Sequence, residues 1–516
     1  MKKIKFTIGI VAVLSIGYLG STWYIGNKIE NEIDNTLSLI SEKINVSKDM
    51  SKINITKSHY DKGLFSTKLH LTITESVDNQ TDLENDKNIL FSDDITIYHG
   101  PFPIVNIAKG DFTPQVAMID YQMTEKAFPE LWKWSNNQSF ITGHANLSFQ
   151  KEFSIYLKNN PIKINLVNHV FGENNLYLTE GECFFNVSKD FSTVSVNSHW
   201  DKLELTSEFR NLSLKLDQVS IKTEPESSHS SLNYVLELKN LYYSEENYDL
   251  IDRNYQYVTT YKKELNFQDV KAVRNGDFKK GILHNNLTIN KVISQNFFND
   301  NATAILNQIL INQSVNQTDE NYYDSIDFKI GSLTYGNQNL GSISSNNEFI
   351  NMDGISMLSF VLGEFGFGIE FSDPYDVNPD KDNRSMSYKF NWHTDVGDIN
   401  VDSLVDYTSH EDFRGLSLDD NINLFILKLD MPFDVINYIA AQFENYQQNI
   451  VTQEQIDEMV IENENDIKSR LGDSILFTFD KNGMKGIYSD ANYSGDTHQA
   501  EVNGKIYSKD DFFTHF

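Results

Sequence analysis

Gly63–Ser76 reads GLFSTKLHLTITES, and its periodicity decides the fold. Phe65, Thr67, Leu69, Leu71 and Ile73 fall on one side of a two-residue repeat, and Ser66, Lys68, His70, Thr72 and Thr74 on the other. Successive side chains of an extended chain point to opposite faces, so this is a strand with one face buried. The same alternation returns at Ile95 and Ile97, Val194 and Val196, Leu203 and Leu205, Leu212 to Ile221, Tyr234 to Leu238, and Leu424 and Ile426. Polar turns separate these runs. Near the end, AEV and KIY flank Asn503-Gly504, the dipeptide that a two-residue type I′ hairpin turn favours.

Helical spacing is rarer. Ile29, Ile33, Leu37, Ile40 and Ile44 form one apolar stripe, read as a stalk that packs on the protein's own body. Further helices are expected near Thr124–Trp134, interrupted by Pro129, then over Val292–Ile311, over Phe433–Phe443 after Pro432, and over acidic Thr452–Leu471. A last short helix is capped by Ser508 with Asp511.

The first residues, MKKIKFTIGIVAVLSIGYLGSTWYIG, place three lysines before an uncharged run from Phe6 to Ile25. Twenty residues of helix span about 30 Å, the thickness of a bilayer's hydrocarbon core. Phe6, Ile10, Val13, Ile16 and Leu19 are the expected lipid-facing residues, and Trp23 and Tyr24 the interfacial ones. Basic residues precede the run and acidic ones follow it, so the N-terminus is expected in the cytoplasm and the rest outside. The run does not end in the small residues of a cleavage site, which favours a retained anchor over a removed leader.

The 516 residues carry 43 Lys and Arg against 73 Asp and Glu, a formal charge of -30 that repels phosphate backbones and argues against nucleic acid as a partner. Cys183 is the single cysteine, so no intrachain disulfide or paired-cysteine site is possible. HExxH, Walker A, EF-hand and G-x-S-x-G patterns are absent, and GEFGFG at 363–368 lacks the glycine order of a dinucleotide loop. The twelve histidines are scattered without ligand spacing, so no catalytic residue, metal ligand or cofactor is assigned.

One histidine stands out by its neighbours, in Tyr98-His99-Gly100-Pro101-Phe102-Pro103. Gly100 frees the backbone, while Pro101 and Pro103 fix φ and remove donors. The segment is read as a rigid strand ending, with His99 structural and Phe102 inserted into the apolar face of the sheet.

The anchor ending in WYIG, HYDKGLFST with Tyr60, Gly63 and Phe65, the HGPFP turn, NQNLGS at 337–342 and NGKIYSKDDFF from Asn503 and Gly504 follow one another in an order that resembles the YdgA-like family of Gram-negative envelope proteins. The resemblance runs from end to end in these islands. It implies an inner-membrane anchor, a largely β body facing the periplasm, and no assigned enzymatic activity or catalytic residues.

The expected fold is mainly β with accessory helices: a transmembrane helix followed by a large, elongated, curled antiparallel sheet. The expected regions are 1–25 (anchor), 26–50 (stalk), 51–290 (β-rich), 291–430 (β-rich, opening with a helix) and 431–516 (helical segment and hairpin). The function expected is a non-enzymatic periplasmic protein in the inner-membrane bilayer, with a lipid or an extended chain held in an amphipathic β groove. Two other readings are an envelope scaffold binding proteins through its acidic helix, and a hydrolase whose dispersed site would gather around His99 or His199.

Overall fold

A computed structural model describes residues 2–45, 52–76, 87–168, 172–189, 193–208, 211–224, 233–250, 257–277, 280–295, 302–318, 321–352, 383–408, 422–445, 464–472 and 474–514. For residues 2–17 this description is of the backbone. The chain forms two compact units, one of residues 1–207 and 217–229, the other of 208–216 and 230–516.

In the first unit α1 (Lys2–Ile44) is one continuous helix. It precedes β1 (Lys52–Lys62), β2 (Ser66–Ser76) and β3 (Lys87–His99), which pair in sequence. Next come α2 (Ile104–Ala108), β4 (Ala117–Gln122), α3 (Pro129–Trp134), β5 (Ile141–Leu147) and β6 (Phe153–Asn159). They are followed by β7 (Ile162–Asn168), β8 (Gly172–Leu178), β9 (Gly181–Val187) and β10 (Val194–Ser207). Every pairing is antiparallel, and β10 joins β9 through its first half and β8 through its second. Leu69, Ile97 and Ala117 form the core on which Ile29 and Ile33 of α1 pack, the first two residues of the stalk's stripe.

β11 (Leu212–Glu224) is divided between the units. The second unit then runs up and down through β12 (Asn233–Leu250), β13 (Tyr257–Asp277), β14 (Ile282–Gln295), β15 (Thr303–Gln317) and β16 (Tyr322–Tyr335). β17 (Gln338–Ile350), β18 (Asn383–Thr394), β19 (Gly397–Thr408) and β20 (Ile422–Pro432) continue it, each antiparallel to the one before. α4 (Phe433–Asn445) starts directly after Pro432, and residues 464–471 form α5. β21 (Thr478–Lys481), β22 (Met484–Ser494), β23 (Gln499–Val502), β24 (Lys505–Ser508) and α6 (Lys509–Thr514) close the chain. β22 returns to pair with β20.

The helix expected over Val292–Ile311 does not form; these residues lie in β14 and β15 and the stretch between them. Its spacing of three has another cause. Asp269 and Gln308 adopt φ of 51° and 54° inside strands whose register runs on unchanged past them. At this level each strand turns over, so its apolar side chains jump by three: Phe267 to Val270, Ile289 to Val292, Leu306 to Ile309, Ile330 to Leu333, all in one cluster. The start of the expected helix over Thr452–Leu471 lies outside the described residues; its end is α5.

The closing segment follows its local chemistry. Val502 opposes Lys505, leaving Asn503 and Gly504 as a two-residue turn with φ of 50° and 77°, the left-handed pair that a type I′ turn requires. The Asp511 amide donates to Ser508 Oγ at 3.2 Å, capping α6 and placing Phe512 in a core with Phe425, Tyr493 and Val502.

Candidate functional site

In the first unit, two islands of the sequence meet on α1. Gly63 makes the tight turn between β1 and β2, its amide donating to the Ser66 carbonyl at 2.8 Å. The following Phe65 stacks on Tyr18 of α1, ring centroids 6.1 Å apart, and its carbonyl accepts the His99 amide at 3.0 Å. The Tyr18 hydroxyl donates to the Phe102 carbonyl at 2.8 Å. Tyr60 packs on the same core, with the Lys57 ammonium 5.2 Å from its ring centre.

His99 is 1% exposed, and its Nδ1 lies 3.3 Å from the Thr22 carbonyl oxygen. A Cβ at Gly26 would lie 2.6 Å from His99 Cε1, so α1 is glycine where the imidazole presses against it. Gly100 answers from the other side: at φ of 131° it lies so close to Thr22 that a Cβ would meet Oγ1 at 2.6 Å. Burial pushes the imidazole's pKa below its ordinary value, opposed by the Thr22 and Ser66 backbone and assisted by Lys62. His99 is thus the side chain driven into the interior, whereas Phe102 stays half-buried beside α1. The joint continues down the helix, where Lys62 bonds Asn27 at 2.6 Å and pairs with Glu30, and where Lys57 meets Asp34 at 3.0 Å.

This arrangement seats the turn against the helix. His199 is exposed beside Asp201 at 3.2 Å, and burial pushes the Cys183 thiol above its usual value. Among the described residues no group of three or more His, Cys, Asp or Glu could hold a metal ion. Also among the described residues, no helix is long and apolar enough to cross a membrane. The side chains of Phe6, Ile10, Val13 and Ile16 lie outside those residues, while Leu19, Trp23 and Tyr24 are exposed.

The second unit contains a groove that sequence reading did not locate. Its sheet surrounds a cavity of about 880 Å³ reaching from β15 to β22. Cross-strand partners point to the same face, so the register gives its walls. One ladder runs Asn312, Asp327, Asn346, Lys389, Asp402, Lys428, Asp490, and the parallel one Leu310, Lys329, Ser344, Asn391, Asn400, Asp430, Tyr488. Phe328, Phe390, Val401 and Leu429 alternate with these along the strands and also line the cavity, so its wall is mixed polar and apolar; α4 packs Val435 and Ile439 against Ile399. A smaller cavity of about 220 Å³ shares Asn312 and Asp327 and extends the polar lining to Asn286 and His284.

The groove's charges differ from those of the chain. Lys329, Lys389, Lys428 and Lys481 balance Asp327, Asp402, Asp430 and Asp490, although the protein carries -30. Asp430 is held by Lys481 at 2.9 Å and Asp327 by Asn346 at 2.6 Å. Lys389, Asp402, Lys428 and Asp490 oppose one another on neighbouring strands, and their charged groups make no ion pair or hydrogen bond among the described residues.

Residues 1–361 match the family model described as "Bacterial protein of unknown function (DUF945)". The chain is 19% identical to Protein YdgA of Escherichia coli over 45% of each chain. It is 21% identical to the uncharacterized protein YihF of Escherichia coli, over 30% of this chain and 32% of that one. An uncharacterized protein of Haemophilus influenzae is 29% identical over 22% and 30%. Each match covers less than half the length of the relative. No solved structure matches the chain.

Proposed function

We propose, for a chain that belongs to the DUF945 family of bacterial proteins, that it is a non-enzymatic protein which α1 anchors in the inner membrane and whose groove holds an extended polar chain in the periplasm. The anchor reading rests on the lysines ahead of the uncharged run and on Trp23 and Tyr24 at its end. The groove reading rests on one observation, the ladder Lys389, Asp402, Lys428, Asp490, whose charged side chains form no ion pair among the described residues while lining a cavity.

Opposite charges directly across a strand pair contribute roughly 0.2–1 kcal/mol when they engage each other. Four that remain apart are available to a ligand bearing both signs. An acyl chain laid along the charged ladder would cover lysines and aspartates that lose water without gaining a partner. The polar alternative within the sequence reading, an extended chain, is therefore favoured over lipid.

Native mass spectrometry of the full chain extracted in detergent, beside a Lys389→Gln/Lys428→Gln variant, tests this. A polar adduct on the parent that the variant loses is the expected result. Lipid adducts indifferent to the substitutions, or no adduct on either protein, would contradict the proposal.

A further inference from the structure

The socket around His99 fixes how deep the first unit sits. Tyr18 lies seven residues before the end of the uncharged run at Ile25, about 10 Å along the helix. If that run fills the hydrocarbon core, the parts that touch Tyr18, Phe65 and the carbonyl of Phe102, cannot stand clear of the bilayer. The body must enter the headgroup and acyl boundary beside its own anchor.

The surface around the socket is built for that position. Leu64 precedes Phe65, and Ile104 and Ile107 lie on α2 directly after the turn; all three are exposed. Phe112 follows in the next loop at 67% exposure, and Phe149 at 53% lies just beyond Leu147, whose carbonyl accepts the Val116 amide at 2.8 Å. Trp23 and Tyr24 of α1 are 59% and 63% exposed, one and two residues beyond Thr22, which packs on the turn. Isolated apolar side chains on a surface are ordinary; several on the segments next to the turn that grips an uncharged helix are not.

Backbone polarity supplies a second, independent observation. Irregular backbone tolerates a lipid environment only where its polar groups are satisfied within the protein. The Pro101 carbonyl accepts the Gln115 amide at 3.1 Å, the Phe102 carbonyl the Tyr18 hydroxyl at 2.8 Å, and the Pro103 carbonyl the amides of Asn106 and Ile107 at 2.9 and 3.2 Å. The Gly100 amide donates to Val116 at 3.2 Å, and the prolines have no amide proton.

We infer that the 100–112 segment with Leu64 and Phe149 is a membrane-contact surface, seated in the outer interface of the bilayer that α1 enters. This rests on the anchor reading above. Its occupant is lipid: the patch surrounds the apolar helix on the side from which the run descends, and buries about 5–10 Å as interfacial segments do.

Single cysteines in a Cys183→Ser background, carrying an environment-sensitive fluorophore, test it on the full chain in phosphatidylethanolamine–phosphatidylglycerol vesicles with doxyl-labelled lipid. Phe112→Cys and Ile107→Cys report the patch, Leu19→Cys the helix, and Lys133→Cys the far end of β4 and β5. Loss of emission at 19, 107 and 112 but not at 133 is expected. Loss at 19 alone would overturn the inference and leave the anchor standing; no loss at 19 would overturn both.

Discussion

A methyl group on Gly26 would lie 2.6 Å from Cε1 of His99, closer than non-bonded carbons approach. Helix and turn are therefore matched residue to residue across 73 positions of sequence. Gly26→Ala should overpack the joint and cost about 1–3 kcal/mol. Combining it with His99→Ala should recover part of that loss, because the two changes act on one contact. Denaturant unfolding of the four proteins measures the coupling, and additive losses would contradict the direct contact.

The buried imidazole makes the joint sensitive to acid. Its folded pKa is lowered, so below the unfolded value of about 6.5 the unfolded chain binds the proton more readily, and stability falls as pH drops from there toward the folded value. The protection factors of the amides of residues 22–26, exchange rates corrected for the intrinsic base-catalysed rate, should fall between neutral and mildly acidic pH. Lys62 is the cation beside the ring, so Lys62→Gln should move the transition to lower pH. Protection factors that do not change with pH, or a shift to higher pH, would contradict the assignment.

Asp93 is a buried carboxylate with a structural task. It accepts from the Tyr121 hydroxyl at 2.9 Å and from Thr124 Oγ1 at 3.2 Å; burial, then Asp93 itself, holds the Tyr121 phenol's pKa well above its usual value. Asp93→Ala leaves those donors unsatisfied and should cost about 1–3 kcal/mol. A melting temperature unchanged by the substitution would show that the pair is not needed.

Gln308 holds a left-handed conformation at the level where the strands of the second unit turn over. Gln308→Gly should be tolerated, whereas Gln308→Ile should lose about 1–2 kcal/mol because a β-branched residue disfavours φ of 54°. Equal stability of the two variants would mean that the strand can relax its φ at no cost.

The same residue explains what could be read from the chain and what could not. Strict alternation at Phe65 to Ile73, the Asn503-Gly504 turn and the Ser508 cap are local signals, and local chemistry suffices for them. The jump from Leu306 to Ile309 imitates helical spacing, and only the unchanged register on both sides of β15 reveals that the strand has flipped. The groove was illegible for a related reason. Lys389, Asp402, Lys428 and Asp490 look like an ordinary solvated face until pairing stacks them on four neighbouring strands. His99 and Gly26 likewise have no sequence signal joining them; HGPFP announces a rigid turn but not the helix it grips.

The groove's charges should matter to binding and not to folding. Lys389→Gln/Lys428→Gln removes no ion pair among the described residues, so its unfolding free energy should stay within about 0.5 kcal/mol of the parent. A larger loss by chemical denaturation would make the ladder structural.

Anchored placement of the groove outside the cell's inner membrane is the claim on which the rest stands. The direct measurement is labelling of Lys481→Cys, at the rim of the groove, by a membrane-impermeant maleimide in cells with only the outer membrane permeabilised, in a Cys183→Ser background. Labelling before inner-membrane lysis, on protein that stays with the membrane through an alkaline wash, is the expected result. Labelling that requires lysis of the inner membrane, or protein released by the wash, would contradict it.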